Sequence, residues 1–239
     1  MEALRQFVLA QQFNPGFAGL WVNPFFHARR GLFQAIKRLG SKIEGRTLDV
    51  GCGSKPYQAL FAASEYVGLD LDTPDNRARK QADVFYDGNA FPFPLHSFDS
   101  VVCSQVLEHV FVPERFLGEI FRVLRPGGCV LLTVPFVWDE HEQPNDFGRY
   151  SSFGLRYLFE KAGFKILEQR KINADVRALF QLVTAYLYKV LWTRHSLLNL
   201  VVCVAFMAPF NILGALIYRL VPSNPDLFLD NVVLAIRPE

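Results

Sequence analysis

The strongest indication of the fold is the stretch "LDVGCGSKPY" (residues 48–57), where an apolar run passes into a glycine-rich turn. Gly51 and Gly53 would let the backbone pass close to a bound ligand, where a Cβ would collide. The plainer alternative is a tight turn from a strand into a helix. A dinucleotide-binding fingerprint carries a third glycine at the position of Pro56, so the turn disfavours a nicotinamide-dependent dehydrogenase.

Strands and helices alternate on both sides of this turn. Pro113 begins a helix that ends at Gly127, and Ser151 or Ser152 begins one that ends at Gly163. This alternation predicts a parallel sheet with helices on both faces. Only ten residues separate the second strand from the third, too few for a helix of the usual length. The predicted strands are residues 46–52, 66–71, 82–87, 98–105, 129–136, 164–172 and 231–238.

Two acidic residues follow the turn at intervals typical of a nucleoside site. Asp70 ends the second strand, where a carboxylate can accept hydrogen bonds from two ribose hydroxyls. Asp87 lies after the third strand, where it could accept from an adenine amino group. Each could instead be an ordinary turn or capping aspartate, but their order and spacing after the glycine turn favour ligand binding.

Several motifs together resemble the class I S-adenosylmethionine-dependent methyltransferases of the type 11-like group: "LDVGCG", "GLD", "DGNAFPFPLHSFD", "VLEHV" and "RVLRPGGCVLLTVP". The chain is most similar to a bacterial branch with a "GCGSKPY" turn and an "H-E-x-P-x-D-F-x-R-Y" segment. The resemblance covers residues 46–172 and 230–238. It implies an α/β, Rossmann-like seven-stranded sheet of order 3-2-1-4-5-7-6, with the last strand antiparallel.

The resemblance also implies the cofactor, S-adenosyl-L-methionine, and its product, S-adenosyl-L-homocysteine. Asp49 and the glycine turn would hold the methionine portion, Asp70 the ribose, and Leu71 one face of the adenine. The implied cofactor-binding residues are Asp49, Gly51, Cys52, Gly53, Asp70, Leu71, Asp87, Gly88, Ser104 and Gln105.

A second polar group of residues is expected on the acceptor side, because "VLEHV" and "WDEHEQPNDFGRY" both follow strands at the ligand-binding edge. An oxygen acceptor must lose a proton, and His141 or His109 would remove it. The implied substrate-binding residues are Glu108, Asp146, Arg149 and Tyr150. Alternatively, Arg149 pairs with Asp146, and the polar groups of this loop bind one another rather than a substrate. A metal site of His141, Glu142 and His109 is a further alternative, and the sequence leads us to expect no metal.

The stretch "LLNLVVCVAFMAPFNILGALIYRLV" (197–221) has no charge before Arg219 and the length of a membrane span. Pro209 should divide it into two halves, each too short to cross. If the last strand joins the sheet, an odd number of crossings is excluded. The stretch could therefore be a lid over the acceptor, an interfacial anchor or a two-pass hairpin. The basic, aromatic arm "NPFFHARRGLFQAIKRLGSK" favours the interfacial anchor.

Charge and cysteine content suggest where the protein works. Residues 1–46 carry seven Lys and Arg against two Glu, while the whole chain has a net charge of +2, which suggests an anionic surface rather than nucleic acid as partner. The four cysteines lack metal spacing and indicate a reducing compartment. We expect a cytoplasmic enzyme bound peripherally to the inner face of the membrane. Its predicted domains are a helical arm (1–45) and a methyltransferase domain (46–239) that includes an apolar helical insertion (173–228).

The predicted function is methyl transfer to an oxygen of a small or amphiphilic, lipid-linked or glycan-related acceptor. Carbon methylation of a quinone-like ring is an alternative, because "VLEH" also occurs in such enzymes. A scaffold that binds the cofactor without catalysis is a third possibility. The acceptor and the oligomeric state do not follow from the sequence.

Overall fold

The computed structural model describes residues 11–239, so the first ten residues of the predicted arm lie outside it. The chain divides into two compact units. The sheet unit comprises Ala35–Phe136, Glu140–Arg170 and Asn231–Glu239. The helical unit comprises the residues up to Gln34, together with Val137–Asp139 and Lys171–Asp230. The domain boundary at residues 45 and 46 stays a prediction.

Seven strands form one mixed sheet of order β3-β2-β1-β4-β5-β7-β6, which confirms the predicted class I methyltransferase topology. The pairs β1–β2, β1–β4, β2–β3 and β4–β5 are parallel. The strands are β1 (Glu44–Val50), β2 (Ala62–Leu71), β3 (Val84–Tyr86), β4 (Phe98–Ser104), β5 (Leu124–Pro135), β6 (Lys165–Ile172) and β7 (Asp230–Ile236).

Helices lie between the strands and in the helical unit. The described α-helices are α1 (Gly19–Val22), α2 (Phe26–Leu39), α3 (Pro74–Arg79), α4 (Pro113–Val123), α5 (Ser152–Lys161), α6 (Arg177–Leu191), α7 (Ser196–Val202) and α8 (Ala208–Ile217). Short 3₁₀ turns occupy Gly40–Lys42, Gln58–Leu60 and Leu107–His109. The predicted start of α5 is confirmed, because the Ser151 hydroxyl accepts a hydrogen bond from the Gly154 N–H over 3.1 Å.

One local expectation was wrong. The glycine turn does not lead into a helix, because the short connection to β2 holds only the 3₁₀ turn Gln58–Leu60. The connection from β2 to β3 holds the six-residue α3, which is shorter than a helix of the usual length, as the spacing predicts. Its first turn is fixed by Pro74 and by the Thr73 hydroxyl, which accepts from the Asn76 N–H over 3.1 Å.

The core of the sheet unit is apolar and continuous. Side chains of the central strands pack with those of α4 and α5 in one buried cluster, which includes Leu48, Val101, Leu117 and Phe159, all fully buried. Full burial of such a side chain stabilises the fold by about 1.5–3 kcal/mol. This core holds the central strands in register and so fixes the positions of the loops that follow them.

In the helical unit, the apolar stretch forms an almost unbroken helical run rather than two halves. A π-helical turn at Cys203–Met207 joins α7 to α8, and Pro209 lies in the first turn of α8. The expectation that Pro209 divides the stretch was therefore wrong. A proline removes one N–H and crowds the preceding turn, and the wider π turn before it accommodates both effects.

Candidate active site

The glycine turn begins the site at the carboxyl end of β1. The Gly51 N–H donates to the Leu69 carbonyl over 2.8 Å, which ties the turn to β2. Gly51 has a φ of +68°, and a Cβ there would lie 2.4 Å from Cγ2 of Val106. The turn therefore requires glycine at this position both for its backbone conformation and for the close approach of the segment after β4.

Asp70, at the end of β2, links the glycine turn to α3. Its Oδ2 accepts from the Gly53 N–H over 3.1 Å, and its Oδ1 accepts from the Leu71 N–H over 2.9 Å and from Asn76 over 3.2 Å. Asp70 is nearly buried but lines the cavity described below. It can therefore meet a ligand hydroxyl while its backbone contacts hold it in place.

Asp49 lies one residue before the end of β1 and differs from Asp70 in its surroundings. It is buried, does not line the cavity, and accepts a 2.8 Å hydrogen bond from the Tyr66 hydroxyl. Burial raises the pKa of the Asp49 carboxyl to about 7. Its position indicates support beneath the glycine turn rather than direct contact with a ligand.

The loop after β3 contributes backbone rather than the predicted carboxylate. Both carboxylate oxygens of Asp87 accept from Asn89, each over 2.9 Å, and these hydrogen bonds lower the pKa of Asp87. Gly88 and Asn89 line the cavity, and Asp87 does not. Gly88 has a φ of +84° and lies against Leu71, which also lines the cavity. Asp87 thus shapes the loop that presents its two neighbours.

Beyond β4, Gln105 takes a left-handed backbone conformation with a φ of +58°. Its N–H donates to the Thr133 carbonyl over 2.9 Å, and its side-chain amide donates to the Thr133 hydroxyl over 3.2 Å. Ser104 shares a 3.0 Å hydrogen bond with the same hydroxyl. Gln105 lines the cavity, whereas Ser104 supports it from behind.

The "LEH" segment forms the 3₁₀ turn Leu107–His109 and brings two ionisable groups to the site. Glu108 is fully buried, and its Oε1 lies 3.9 Å from Nε2 of His109. His109 Nδ1 lies 2.7 Å from the Asn145 carbonyl. Because a carbonyl only accepts, Nδ1 carries the hydrogen and Nε2 presents a lone pair. His109 lines the cavity.

The loop after β5 is organised by an ion pair. Arg149 donates to both carboxylate oxygens of Asp146, over 2.6 and 2.7 Å, and this pairing lowers the pKa of Asp146 to about 2. The His141 N–H also donates to Asp146 over 2.9 Å. The loop thus contains the internal Arg149–Asp146 pair that the sequence analysis gave as an alternative to substrate binding. The residues of this loop that do not line the cavity are His141, Asp146, Arg149 and Tyr150.

Together these segments enclose a cavity of about 590 Å³ within the sheet unit. This volume lies within the range of about 300–1,000 Å³ that is usual for small-molecule sites. Of the residues singled out in the sequence, Gly51, Asp70, Leu71, Gly88, Gln105 and His109 line it, whereas Asp49, Cys52, Gly53, Asp87, Ser104 and Glu108 do not.

Sequence reasoning missed several cavity residues, including Thr73, Asn76, Lys80, Phe111, Arg115 and Phe147. Asn76 belongs to α3 and Lys80 follows it, in a connection expected to be too short for a helix of the usual length. The Thr-Pro pair at positions 73 and 74 was the available signal, since it is typical of a helix start.

Comparison with known proteins shows what the sheet unit is similar to. Residues 48–132 match the family model of the methyltransferase domain. This part of the chain is therefore similar to a methyltransferase domain. This segment runs from the start of "LDVGCGSKPY" to β5, so it includes the glycine turn, Asp70 and Gln105 of the cavity.

Relatives of the methyltransferase domain occur in mycobacteria. A "Probable S-adenosylmethionine-dependent methyltransferase" from Mycolicibacterium smegmatis is 37% identical over 158 residues, which are 60% of this chain and 60% of that one. An "Uncharacterized methyltransferase" from Mycobacterium marinum is 37% identical over 109 residues, 41% of this chain and 42% of that one. The matches thus span less than two thirds of each relative. These names support the predictions of an enzyme and of its cofactor.

Solved structures agree on the fold. Phosphoethanolamine N-methyltransferase 2 of Haemonchus contortus, in complex with S-adenosyl-L-methionine, has a TM-score of 0.56 at 19% identity and covers 98% of this chain and 57% of that one. An S-adenosylmethionine-dependent methyltransferase from Mesorhizobium loti has a TM-score of 0.53 at 15% identity and covers 87% and 98%. At such identities the likeness concerns the fold alone.

Proposed function

We propose that this protein transfers a methyl group from S-adenosyl-L-methionine to an oxygen of an amphiphilic acceptor. The observation that carries the proposal is that one cavity is lined both by residues implied for the cofactor and by His109. Gly51, Asp70 and Gly88 come from three neighbouring strand ends, and His109 follows the fourth strand.

The cofactor-side residues fit the polar groups of S-adenosyl-L-methionine. Asp70 offers a carboxylate to hydroxyl donors, and Gly51 lines the same cavity at the end of the neighbouring strand. Leu71 is 43% exposed although it ends a strand, so it offers an apolar surface to a flat ring. The bound cofactor supplies an activated methyl group on a sulfonium. The chain itself must bind the acceptor, exclude water and accept its proton.

His109 is the residue best placed to receive that proton. Its Nδ1–H is held by the Asn145 carbonyl, so the Nε2 lone pair is available on the cavity side. Three apolar residues line the cavity close in sequence to His109 and Asn145, namely Val110, Phe111 and Phe147. An apolar wall beside a single base suits an acceptor that carries one hydroxyl on a largely apolar body.

The exposed surface of the helical unit supports an amphiphilic acceptor and contact with a membrane. In the described chain, one helical run, Ser196–Ile217, is long and apolar enough to span a bilayer by length and composition. Exposed apolar side chains of α6, α7 and α8 include Leu179, Tyr186, Val190, Leu197, Val201, Leu213 and Leu216. Apolar patches of this kind mark surfaces that meet lipid or a partner.

Among the three arrangements for this stretch, we favour the interfacial anchor on the inner face of the membrane. Strands β6 and β7 belong to one sheet, so a single crossing between them is excluded. The 15-residue α6 extends about 22 Å, shorter than the apolar core of a bilayer, which is about 30 Å. A two-pass hairpin is therefore disfavoured.

The first test is cofactor binding by calorimetry. S-adenosyl-L-methionine should bind the purified chain, and Asp70→Ala should weaken binding by about 1–3 kcal/mol because buried hydroxyls lose a charged acceptor. Asp72→Ala is the matched control, since Asp72 is exposed, pairs with Arg77 and does not line the cavity. Equal affinity of both variants and the wild type would remove Asp70 from the site.

The second test is turnover with methyl-labelled cofactor and a bacterial lipid extract. Label should enter an extractable product, and His109→Ala should reduce turnover while cofactor affinity is retained. His195→Ala, in the helical unit, is the control. Cofactor binding without any product would favour the scaffold, and label on a ring carbon would favour the quinone-type reaction.

A further inference from the structure

The cavity ends at a cluster of metal-ligating side chains that the proposed methyl transfer does not by itself require. Glu108, His109 and His141 each offer one ligand atom, and these atoms lie within 4.8 Å of one another. The two imidazole rings are 4.9 Å apart between centroids, at 77° to each other. The carboxylate of Glu142 joins the cluster, with its Oε2 3.9 Å from Nε2 of His109.

Distant segments build the cluster. Glu108 and His109 follow β4, whereas His141 and Glu142 follow β5. The Glu108 carbonyl accepts from the N–H groups of Phe147 and Gly148, over 2.8 and 3.1 Å, and this pins the second loop to the first. The ligand atoms are thus held by backbone contacts rather than by chance proximity of surface side chains.

Both histidines have an outer partner that orients the ring. The Asn145 carbonyl receives the Nδ1–H of His109, which leaves Nε2 as the donor to a ligand. Nδ1 of His141 lies 3.4 Å from the Asp146 carboxylate, which Arg149 holds from its other side. Metal-binding histidines typically donate their second ring N–H to a carbonyl or carboxylate in this way.

The charge and spacing of the carboxylates also fit a cation. Glu108 is fully buried, and buried carboxylates are usually paired with a positive group or bound to a metal. Oxygens of Glu108 and Glu142 each lie 3.9 Å from Nε2 of His109. Two ligand atoms on one ion, with bonds of about 2.1 Å, lie roughly 3–4 Å apart. Small side-chain rotations would therefore complete the coordination.

We infer that Glu108, His109 and His141 form a site for a divalent first-row transition ion that binds the acceptor oxygen. Two imidazoles and a carboxylate suit zinc, iron, cobalt or manganese better than magnesium or calcium, which prefer oxygen ligands alone. Three protein ligands leave coordination positions for a substrate. Since His109 lines the cavity, an ion bound to it would lie next to the space assigned to the acceptor. This inference replaces the expectation of no metal.

The inference rests on the proposed function and gives the acceptor step a mechanism. The ion lowers the pKa of the bound hydroxyl, and the released proton passes to Glu142 or to water. The oxygen then forms a bond to the methyl carbon, the carbon–sulfur bond breaks, and its electron pair stays on sulfur. The products are a methyl ether and a neutral thioether. With the ion bound, Nε2 of His109 would be its ligand and would no longer accept the proton, so His109 would act on the oxygen through the ion. The acceptor must then carry a hydroxyl group.

Cobalt(II) binding to the purified full-length protein, freed of metal by a chelator, tests the site without requiring activity. Calorimetry should show one Co²⁺ per chain, with visible absorption bands that indicate nitrogen and oxygen ligands. Glu108→Gln and His141→Ala should each weaken binding at least tenfold, and Asp146→Asn about 10–100-fold through the loss of an outer partner. His195→Ala should leave binding unchanged, and circular dichroism checks that each variant is folded.

Failure of this inference is distinguishable from failure of the proposed function. If the chelated protein binds no Co²⁺, or if Glu108→Gln binds it as tightly as the wild type, the metal site is overturned. Methyl transfer that persists in the chelated protein would then leave His109 as a simple base. If Co²⁺ binds as expected but no acceptor is methylated, the site stands and the assigned reaction fails.

Discussion

The sheet unit has a large apolar core, whereas the helical unit buries several polar side chains within its helices and exposes many apolar ones. In the sheet unit, Leu48, Val101 and Leu132 are fully buried in an apolar core. In the helical unit, Gln181, Thr184 and Asn211 are fully buried, while Leu216 and Leu220 are 67% and 82% exposed. A chain that folds in water ordinarily follows the first pattern.

The buried polar side chains of the helical unit stabilise it by binding backbone. Gln181 accepts from the Ala28 N–H and donates to the Pro24 carbonyl, both over 3.0 Å. Asn211 donates to the carbonyls of Leu20 and Asn23, over 3.1 and 2.9 Å. Polar contacts between helices are one of the interactions that hold helices together in lipid, where the hydrophobic drive for apolar packing is absent. The buried polar side chains and exposed apolar side chains of the helical unit are therefore what the proposed membrane contact would require.

The largest expected effect is the difference between substituting buried side chains and substituting exposed side chains of the same helical run. Met207 is fully buried, so Met207→Ser should destabilise the helical unit by about 2–5 kcal/mol. The triple variant Phe206→Ser, Leu216→Ser, Leu220→Ser changes exposed side chains and should keep the fold but lose binding to anionic liposomes. Thermal unfolding and liposome sedimentation measure the two effects. A triple variant that still binds liposomes would contradict the interfacial anchor.

The second prediction concerns pH, because a buried carboxyl and a buried imidazole respond in opposite directions. The folded pKa of Asp49, about 7, lies above its unfolded value, so its destabilising effect grows as pH rises from about 4 to 7. Burial lowers the pKa of His27 to about 4, so its destabilising effect grows as pH falls below about 6.5. At its full extent, each effect is on the order of 3–4 kcal/mol.

Hydrogen exchange, followed separately in each unit, measures how stability changes with pH. Between pH 5 and pH 7, Asp49→Asn should flatten the pH dependence of protection in the sheet unit. His27→Gln should flatten it in the helical unit. If protection changes with pH in the same way in both units, and neither variant alters this change, these groups titrate in the folded protein as they do in water.

A smaller effect is expected from the polar interior of the helical unit. Gln181→Leu would leave the Pro24 carbonyl and the Ala28 N–H without their side-chain partner, at a cost of about 1–3 kcal/mol. Leu182→Gln serves as the control, because it replaces an apolar side chain by a polar one at the neighbouring half-buried position. A more stable Gln181→Leu variant by thermal unfolding would show that apolar packing governs this unit after all.

The smallest effect concerns charge at the exposed surface. Arg194 and Arg219 are exposed on the helical unit, and each basic residue near an anionic membrane contributes about 1 kcal/mol of attraction. Replacing both by Gln should weaken liposome binding, and raising salt should weaken wild-type binding without abolishing it. Binding that disappears entirely at high salt would indicate a purely electrostatic contact, against the role of the apolar side chains.

Much of the sheet unit was predictable because its signals are local. The strand order was implied by the family resemblance, whereas the glycine at position 51 follows from the backbone conformation of one turn. Ser151 and Pro113 marked helix starts through contacts within one helical turn. These features depend on neighbours in the chain, so a single sequence contains them.

Tertiary structure decided what depends on residues far apart in the chain. The sequence contained Arg149 and Asp146 with two possible roles, and the folded loop pairs them. It contained the proposed ligands Glu108 and His141 but not their proximity, because strand register and the packing of two loops set that distance. It also marked Pro209 as a break, whereas the π turn before it lets the helical run continue. Composition determined that residues 197–221 are apolar, but only packing could decide which of their side chains are buried, since burial depends on the partners that surround a helix rather than on the helix itself.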